Sequence, residues 1–216
     1  MIRLHYHPSN ASFAPHVLLH ELQLPFELLR VDRDHGAHKT PAYLKLNPNG
    51  LIPVLEDGDL VLYETAAICL HLADRHPQAG LAPAVGSDER AHFYKWLVWM
   101  TNTLQATLIH YFYPERMVDD GNVDGARQVK AHAQARVLTL LQQLDDQLAR
   151  SGGPWLLGAG YTVLDVYGFM LCRWTRGFDS RPARDWPQLG PWLQLVLARP
   201  AVQRAVATEG LQPPLV

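Results

Sequence analysis

Asn47-Pro48-Asn49-Gly50-Leu51-Ile52-Pro53-Val54-Leu55, with Glu64-Thr65 nine residues further on at the head of an apolar periodic run, decides how the first third of this chain folds. Asn-Pro and Asn-Gly mark a turn, and Pro53 opens an extended, β-rich run. Asp57-Gly58, between Val54-Leu55 and Leu60-Val61-Leu62-Tyr63, is a short-range hairpin signal. At an X-Pro bond the cis form costs less than about 1 kcal/mol, against roughly 3 kcal/mol elsewhere, so a cis Ile52-Pro53 bond fits a tight turn here. A strand opening at that proline is expected to leave Val54 with free backbone groups at a sheet edge, ready to pair with an extended peptide. Thr65 starts the next helix, where unpaired amides and the helix dipole favour an anion.

Upstream, residues 2–6 read as a strand and Ala14–Leu22 as a helix with Ser12 as its N-cap, Pro15 being tolerated in the first turn. Phe26–Val31 reads as a second strand, followed by a loop from Asp32 to Asn47. After the hairpin, a helix runs from Thr65 to Asp74 and ends at His76-Pro77. The order is βαβ, loop, ββα. A βαβ unit needs a parallel pair and the hairpin an antiparallel one, so the small sheet is mixed and helix-covered, a thioredoxin-like α/β arrangement.

Gly80–Ser87 is rich in Gly, Pro and small residues and reads as a linker. Beyond it the chain is all-α. Phe93, Leu97, Met100, Leu104 and Leu108 recur at helical spacing along one long 88–112 helix, as do Val129, Ala133, Val137, Leu144 and Leu148 along the next. Further helices are expected over Asp165–Trp174 and Pro191–Leu197, the last stopping at Arg199-Pro200. The domains are thus 1–79, a linker at 80–87, and a helical bundle at 88–216.

Composition excludes several classes of partner. With 216 residues, 48% hydrophobic content and a net charge of -2, the chain has a core but no positive field to hold nucleic acid or an anionic membrane. The N-terminus enters a strand directly and the longest apolar stretches are broken by charged or polar residues, so a cytoplasmic protein is expected. Cys69 and Cys172 sit in helical apolar patterns, outside any Cys-x-x-Cys pair, and read as buried thiols. His5 and His7 share a strand face, but two histidines do not make a metal site, and no metal is expected.

Ala37-His38-Lys39-Thr40-Pro41, Leu46–Gly50, Ile52–Leu55, Asp57-Gly58 and Tyr63–Ile68 occur in an order and spacing that resembles the soluble glutathione transferase superfamily, over nearly the whole chain. Thr162-Val163-Leu164-Asp165 is similar to its capping box, with Thr162 accepting from a first-turn amide and Asp165 reaching back to the cap amide. The resemblance implies a βαβαββα thioredoxin-like domain ahead of an all-helical bundle, a homodimer, and glutathione as co-substrate. By position, Val54 beside Ile52 and cis-Pro53 would pair with the cysteinyl residue, and Glu64 and Thr65 would hold the γ-glutamyl end. His38 and Lys39 would meet the glycyl carboxylate.

The reaction needs a group that stabilises the glutathione thiolate, because a free thiol of pKa about 8.5 is only slightly ionised at neutral pH. Here Tyr6-His7-Pro8-Ser9-Asn10-Ala11-Ser12-Phe13 looks most like the bacterial beta class, with phi-like features elsewhere, but Ala11 stands where that class carries a cysteine. Ser12, then Asn10, Ser9 and Tyr6, are the candidates to replace it. Gln105-Ala106 stand where the beta class has a His-Lys pair. The electrophile site is expected to draw on Phe13, Tyr111, Tyr113 and Trp174.

Three functions follow from the resemblance. The first is conjugation of the glutathione thiolate to a hydrophobic small-molecule electrophile. The others are glutathione-dependent peroxide or disulfide reduction, and a non-catalytic binding module that keeps the fold.

Overall fold

A computed structural model describes all 216 residues. In chain order the first elements are β1 (Ile2–Tyr6), α1 (Phe13–Glu21), β2 (Phe26–Arg30), α2 (Pro41–Leu44), β3 (Val54–Asp57), β4 (Leu60–Tyr63) and α3 (Thr65–Arg75). Then come α4 (Asp88–Trp99), α5 (Ala106–Phe112), α6 (Val123–Arg150), α7 (Val163–Arg173), α8 (Leu189–Leu197) and α9 (Pro200–Thr208). No helix is long and apolar enough to cross a membrane. The chain forms two compact units, one of Met1–Ala82 with Val196–Pro213, the other of Pro83–Leu195 with Pro214–Val216. Against the expected 88–216 bundle, the segment Val196–Pro213 therefore groups with the N-terminal residues.

In the first unit the sheet order is β2-β1-β3-β4, with β1 parallel to β2 and the other pairs antiparallel. This is the mixed thioredoxin-like sheet that the βαβ and hairpin signals require. Leu4, Val54 and Leu55 are fully buried on β1 and β3, and so are Val17 to Leu19 of α1 and Ile68 of α3. Two details correct the expectation. β3 is an interior strand rather than an edge, and the stretch read from its residues as a loop over 32–47 contains a 3₁₀ turn, Ala37–Lys39, and α2, the helix that the βαβαββα order has at this place. Thr40 caps α2 by accepting from the Tyr43 amide, with Pro41 in its first turn, a start signal already present in the sequence.

Helix α1 ends in a Schellman motif, with the Gln23 amide donating to His20 O and the Leu24 amide to Leu19 O, both at 3.2 Å. Gln23 pays the conformational penalty of φ 53° while its side chain is exposed. Gln23→Gly is expected to stabilise the fold by about 1 kcal/mol, since glycine carries no Cβ penalty in the left-handed region. A thermal melt showing an unchanged or lower midpoint would reject this.

In the second unit the expected single 88–112 helix is interrupted by π-helical turns over Met100–Gln105. Threonine hydroxyls donate to main-chain carbonyls there, Thr101 to Val98 O at 2.9 Å and Thr107 to Thr103 O at 2.7 Å, and such back-bonding distorts helical bonding. The capping box is present, with Leu164 N donating to Thr162 Oγ1 at 3.2 Å and Thr162 N to Asp165 Oδ2 at 2.9 Å. Arg199-Pro200, read as a stop, separates α8 from α9, because proline at the first helical position starts a helix as readily as it ends one.

Candidate functional site

The turn at 47–51 is fastened by side chains. Buried Asn47 accepts from the Asn49 amide at 3.0 Å and donates from Nδ2 to Leu51 O at 2.8 Å. Tyr43 OH donates to the same carbonyl at 2.9 Å, and burial pushes its phenol well above the usual range. Two donors thus hold the carbonyl that precedes the cis Ile52-Pro53 bond. Tyr43 was no part of the sequence-based site. Val54 follows, fully buried, at the end of both of β3's ladders, opposite His5 on one side and Tyr63 on the other. Its place is the end of an interior strand, which corrects the free sheet edge expected for it.

His38 and Lys39 sit against this turn. Lys39 Nζ donates to Asn49 O at 3.5 Å. A Cβ on Gly50, whose φ is +58°, would fall 2.9 Å from His38 O and 2.8 Å from Lys39 Nζ, so the loop and the turn touch through the absent side chain. Burial, helped by the charges of Lys39 and Arg33 and by His7, holds the His38 imidazole below its ordinary pKa. A neutral ring at pH 7 follows, and its buried Nδ1 has no partner.

Glu64 adopts φ 73°, a left-handed backbone that is uncommon for a residue with a side chain. It turns the chain from β4 into α3 without capping the helix by its own side chain. The first-turn amides of α3 and the buried Thr65 lie just behind it. A carboxylate there meets unpaired amides and the positive end of an 11-residue helix.

The segment at 6–12 departs most from expectation. Ser12 is fully buried and makes no side-chain cap. Its Oγ accepts from His7 N at 3.2 Å and donates to His7 O at 3.1 Å, closing the loop from His7 to Ser12. That hydroxyl is already engaged in both directions. Asn10 Oδ1 faces the Ala11 amide, leaving the Nδ2 hydrogens as donors, and Asn10 is part-exposed. Ser9 stands at φ 60° with its amide bonded to Glu209, and Tyr6 lies 6.1 Å from the His16 ring. Phe13 is 1% exposed in the first unit's core, which removes it from any electrophile surface.

The other aromatic candidates lie in the second unit and are part-exposed. Tyr111 packs on Phe178 at 4.4 Å with Lys130 over its ring, and Trp174 meets Phe112 edge-on at 6.3 Å. Tyr113 lies under the Arg116 guanidinium at 4.0 Å. Gln105 accepts from the Tyr167 hydroxyl within the same unit. No three His, Cys, Asp or Glu side chains are grouped so as to hold a metal.

Sheet order and the cis proline ahead of β3 define a thioredoxin-like domain, followed in the chain by a helical unit. The family model described as the glutathione S-transferase N-terminal domain matches residues 8–75. Over 210 residues the chain is 34% identical to Glutathione S-transferase 3 of Zea mays, covering 91% of this chain and 89% of that protein. It is 31% identical over 212 residues to Glutathione S-transferase GST-4.5 of Xanthomonas campestris pv. campestris, covering 97% and 100%. The crystal structure of a glutathione transferase homologue from Sulfitobacter, with bound glutathione, matches with a TM-score of 0.87 at 26% identity, covering 98% of this chain and 99% of that one. The chain belongs to the glutathione S-transferase superfamily.

Proposed function

We infer that the protein is a glutathione transferase that binds glutathione on its first unit and conjugates the thiolate to a hydrophobic small-molecule electrophile. The observation that carries this is the uncapped start of α3 behind Glu64-Thr65, beside the cis Ile52-Pro53 turn, in a chain of this superfamily. In this reading the γ-glutamyl carboxylate takes the α3 amides and Thr65, while Glu64 answers the ammonium. The cysteinyl main chain lies along the cis Ile52-Pro53 turn at the end of β3 where Val54 begins the strand, and Lys39 with His38 meets the glycyl carboxylate. Asn10 becomes the first choice of donor to the thiolate, because the Ser12 hydroxyl is taken up by the His7 backbone. Tyr111 and Trp174 are the side chains assigned to the electrophile, and a cytoplasmic homodimer completes the reading.

Conjugation is preferred over cysteine-based reduction for a specific reason. Cys69 and Cys172 are both buried, and burial pushes both thiols far up, so neither offers a thiolate. Thr65→Ala is expected to weaken glutathione binding by about 1 to 2 kcal/mol, the worth of one charge-assisted hydrogen bond. Calorimetric titration of both proteins checks it, with turnover of an activated aryl halide as the activity readout. Absence of glutathione binding by the unmodified protein would overturn the reading.

A further inference from the structure

Glu209 follows α9, 200 residues away in sequence from the loop that it touches. Its carboxylate is fully buried. Oε2 accepts from the Ser9 amide at 2.8 Å, and Oε1 meets Nδ1 of the fully buried His16 at 2.9 Å. His16 meets the carboxylate through Nδ1, and its buried Nε2 has no partner. The walls of this pocket are rings. His20 lies at 5.0 Å, Phe26 at 5.8 Å and Tyr6 at 6.1 Å from His16, and burial with the His16 and Arg204 charges brings His20 down to about 4.

Stability alone gives little reason for a carboxylate at this place. It sits at the C-terminal end of a helix, where the dipole disfavours negative charge, and it has lost its water. Docking of α9 against α1 is already served by other groups. Arg199 makes a two-bond pair with Glu21 at 2.6 and 2.9 Å, and Arg204 donates to His20 O at 3.3 Å. Neither of these reaches the loop at 7–12.

What Glu209 adds is control of Ser9. A non-glycine residue in the left-handed region carries a penalty of about 1 to 2 kcal/mol, so φ 60° at Ser9 needs something to hold it. The loop is pinned on one side by Ser12 Oγ to both backbone groups of His7, and on the other by Glu209 to the Ser9 amide. Asn10 lies between the two pins.

We propose that Glu209 is a positioning residue for thiol activation, holding the Ser9 backbone so that the Asn10 amide is presented to the glutathione sulfur. This rests on the reading of the protein as a glutathione transferase with Asn10 beside the thiol. Glu209 touches neither glutathione nor electrophile and acts through the backbone that it holds. A donor misplaced by about 1 Å loses much of its effect on the transition state.

The test compares Glu209→Ala, Glu209→Gln and Arg199→Ala in the full chain. It measures the pKa of the bound glutathione thiol by ultraviolet titration of the thiolate, and kcat and KM with an activated aryl halide. Glu209→Ala is expected to raise the bound-thiol pKa and lower kcat by about tenfold or more, with KM for glutathione within about threefold. Glu209→Gln, whose carboxamide oxygen still accepts from the Ser9 amide, is expected to restore most of the loss. Arg199→Ala should lower the unfolding midpoint and leave the thiol pKa in place. Should Glu209→Ala not fold, Glu209→Asp carries the same expectation, since its shorter side chain cannot span both partners. A folded variant with unchanged thiol pKa and kcat overturns the positioning role, as does an equal pKa change in Arg199→Ala. An unmodified protein that gives no bound-thiolate signal overturns instead the reading on which the role rests.

Discussion

Asp165→Ala is expected to lower the stability of the protein by roughly 5 kcal/mol, because it strips the partner from three buried N–H groups at about 1 to 3 kcal/mol each. The carboxylate is completely buried. Oδ1 accepts from Leu156 N and Trp192 Nε1, both at 3.0 Å, and Oδ2 from Thr162 N at 2.9 Å and Thr162 Oγ1 at 3.3 Å. One side chain therefore caps α7, ties the preceding loop to it and orients the indole of α8. Urea unfolding of the variant reads the loss directly, and a change below about 2 kcal/mol would show that the four bonds are replaced by water.

The same residue gives a pH dependence. Burial pushes its carboxyl up to about 6 from an ordinary 3.8, although all four donors pull the other way. The folded chain thus holds a proton between those values that the unfolded chain has released. Stability from that proton is fully present below the ordinary value and is lost as pH rises through about 6. Asp165→Asn cannot titrate, so its cost should be larger at pH 4 than at pH 7 by about 2 kcal/mol. Equal costs at the two values would contradict the raised pKa.

Gly50→Ala is the second substitution with a large expected effect. The left-handed backbone at φ +58° costs an alanine about 1 to 2 kcal/mol. Its methyl would also stand 2.9 Å from His38 O. Lys39 Nζ, at 2.8 Å, can swing away, but the carbonyl moves only if the 38–39 backbone moves. The expected outcome is a stability loss of 2 to 4 kcal/mol, roughly, together with glutathione binding weakened about tenfold or more as the pair assigned to the glycyl carboxylate is displaced. Unfolding and calorimetry separate the two parts. Lowered stability with an unchanged Kd would confine Gly50 to folding and remove His38 and Lys39 from the binding reading.

Local chemistry was legible in the sequence where one short stretch contains both halves of an interaction. Asp57-Gly58 marks the β3–β4 hairpin, Thr162 and Asp165 mark the start of α7, and the Asn47–Gly50 turn announces itself through Asn-Pro and Asn-Gly. Interactions between distant segments were not legible. The hairpin and the βαβ signal each define a pair of strands, but neither says that β3 joins β1, which is what places Val54 inside the sheet. A hydroxyl at a helix start reads as a cap, and nothing near Ser12 reveals that the His7 backbone claims it. Phe13 beside the expected catalytic position looks exposed to substrate until helix α1 is seen to bury it. Glu209 carries no local signal at all, since an isolated glutamate near a terminus is ordinarily a solvated one.

The grouping of Val196–Pro213 with Met1–Ala82 also bears on the order in which the protein is made. Synthesis delivers the first 82 residues early, and the whole intervening unit emerges before α9 does. On the ribosome the β-sheet domain must wait, with the α1 surface that α9 will cover still bare, while more than a hundred residues are added. Helix α9 thus completes a unit whose sheet was made well before it.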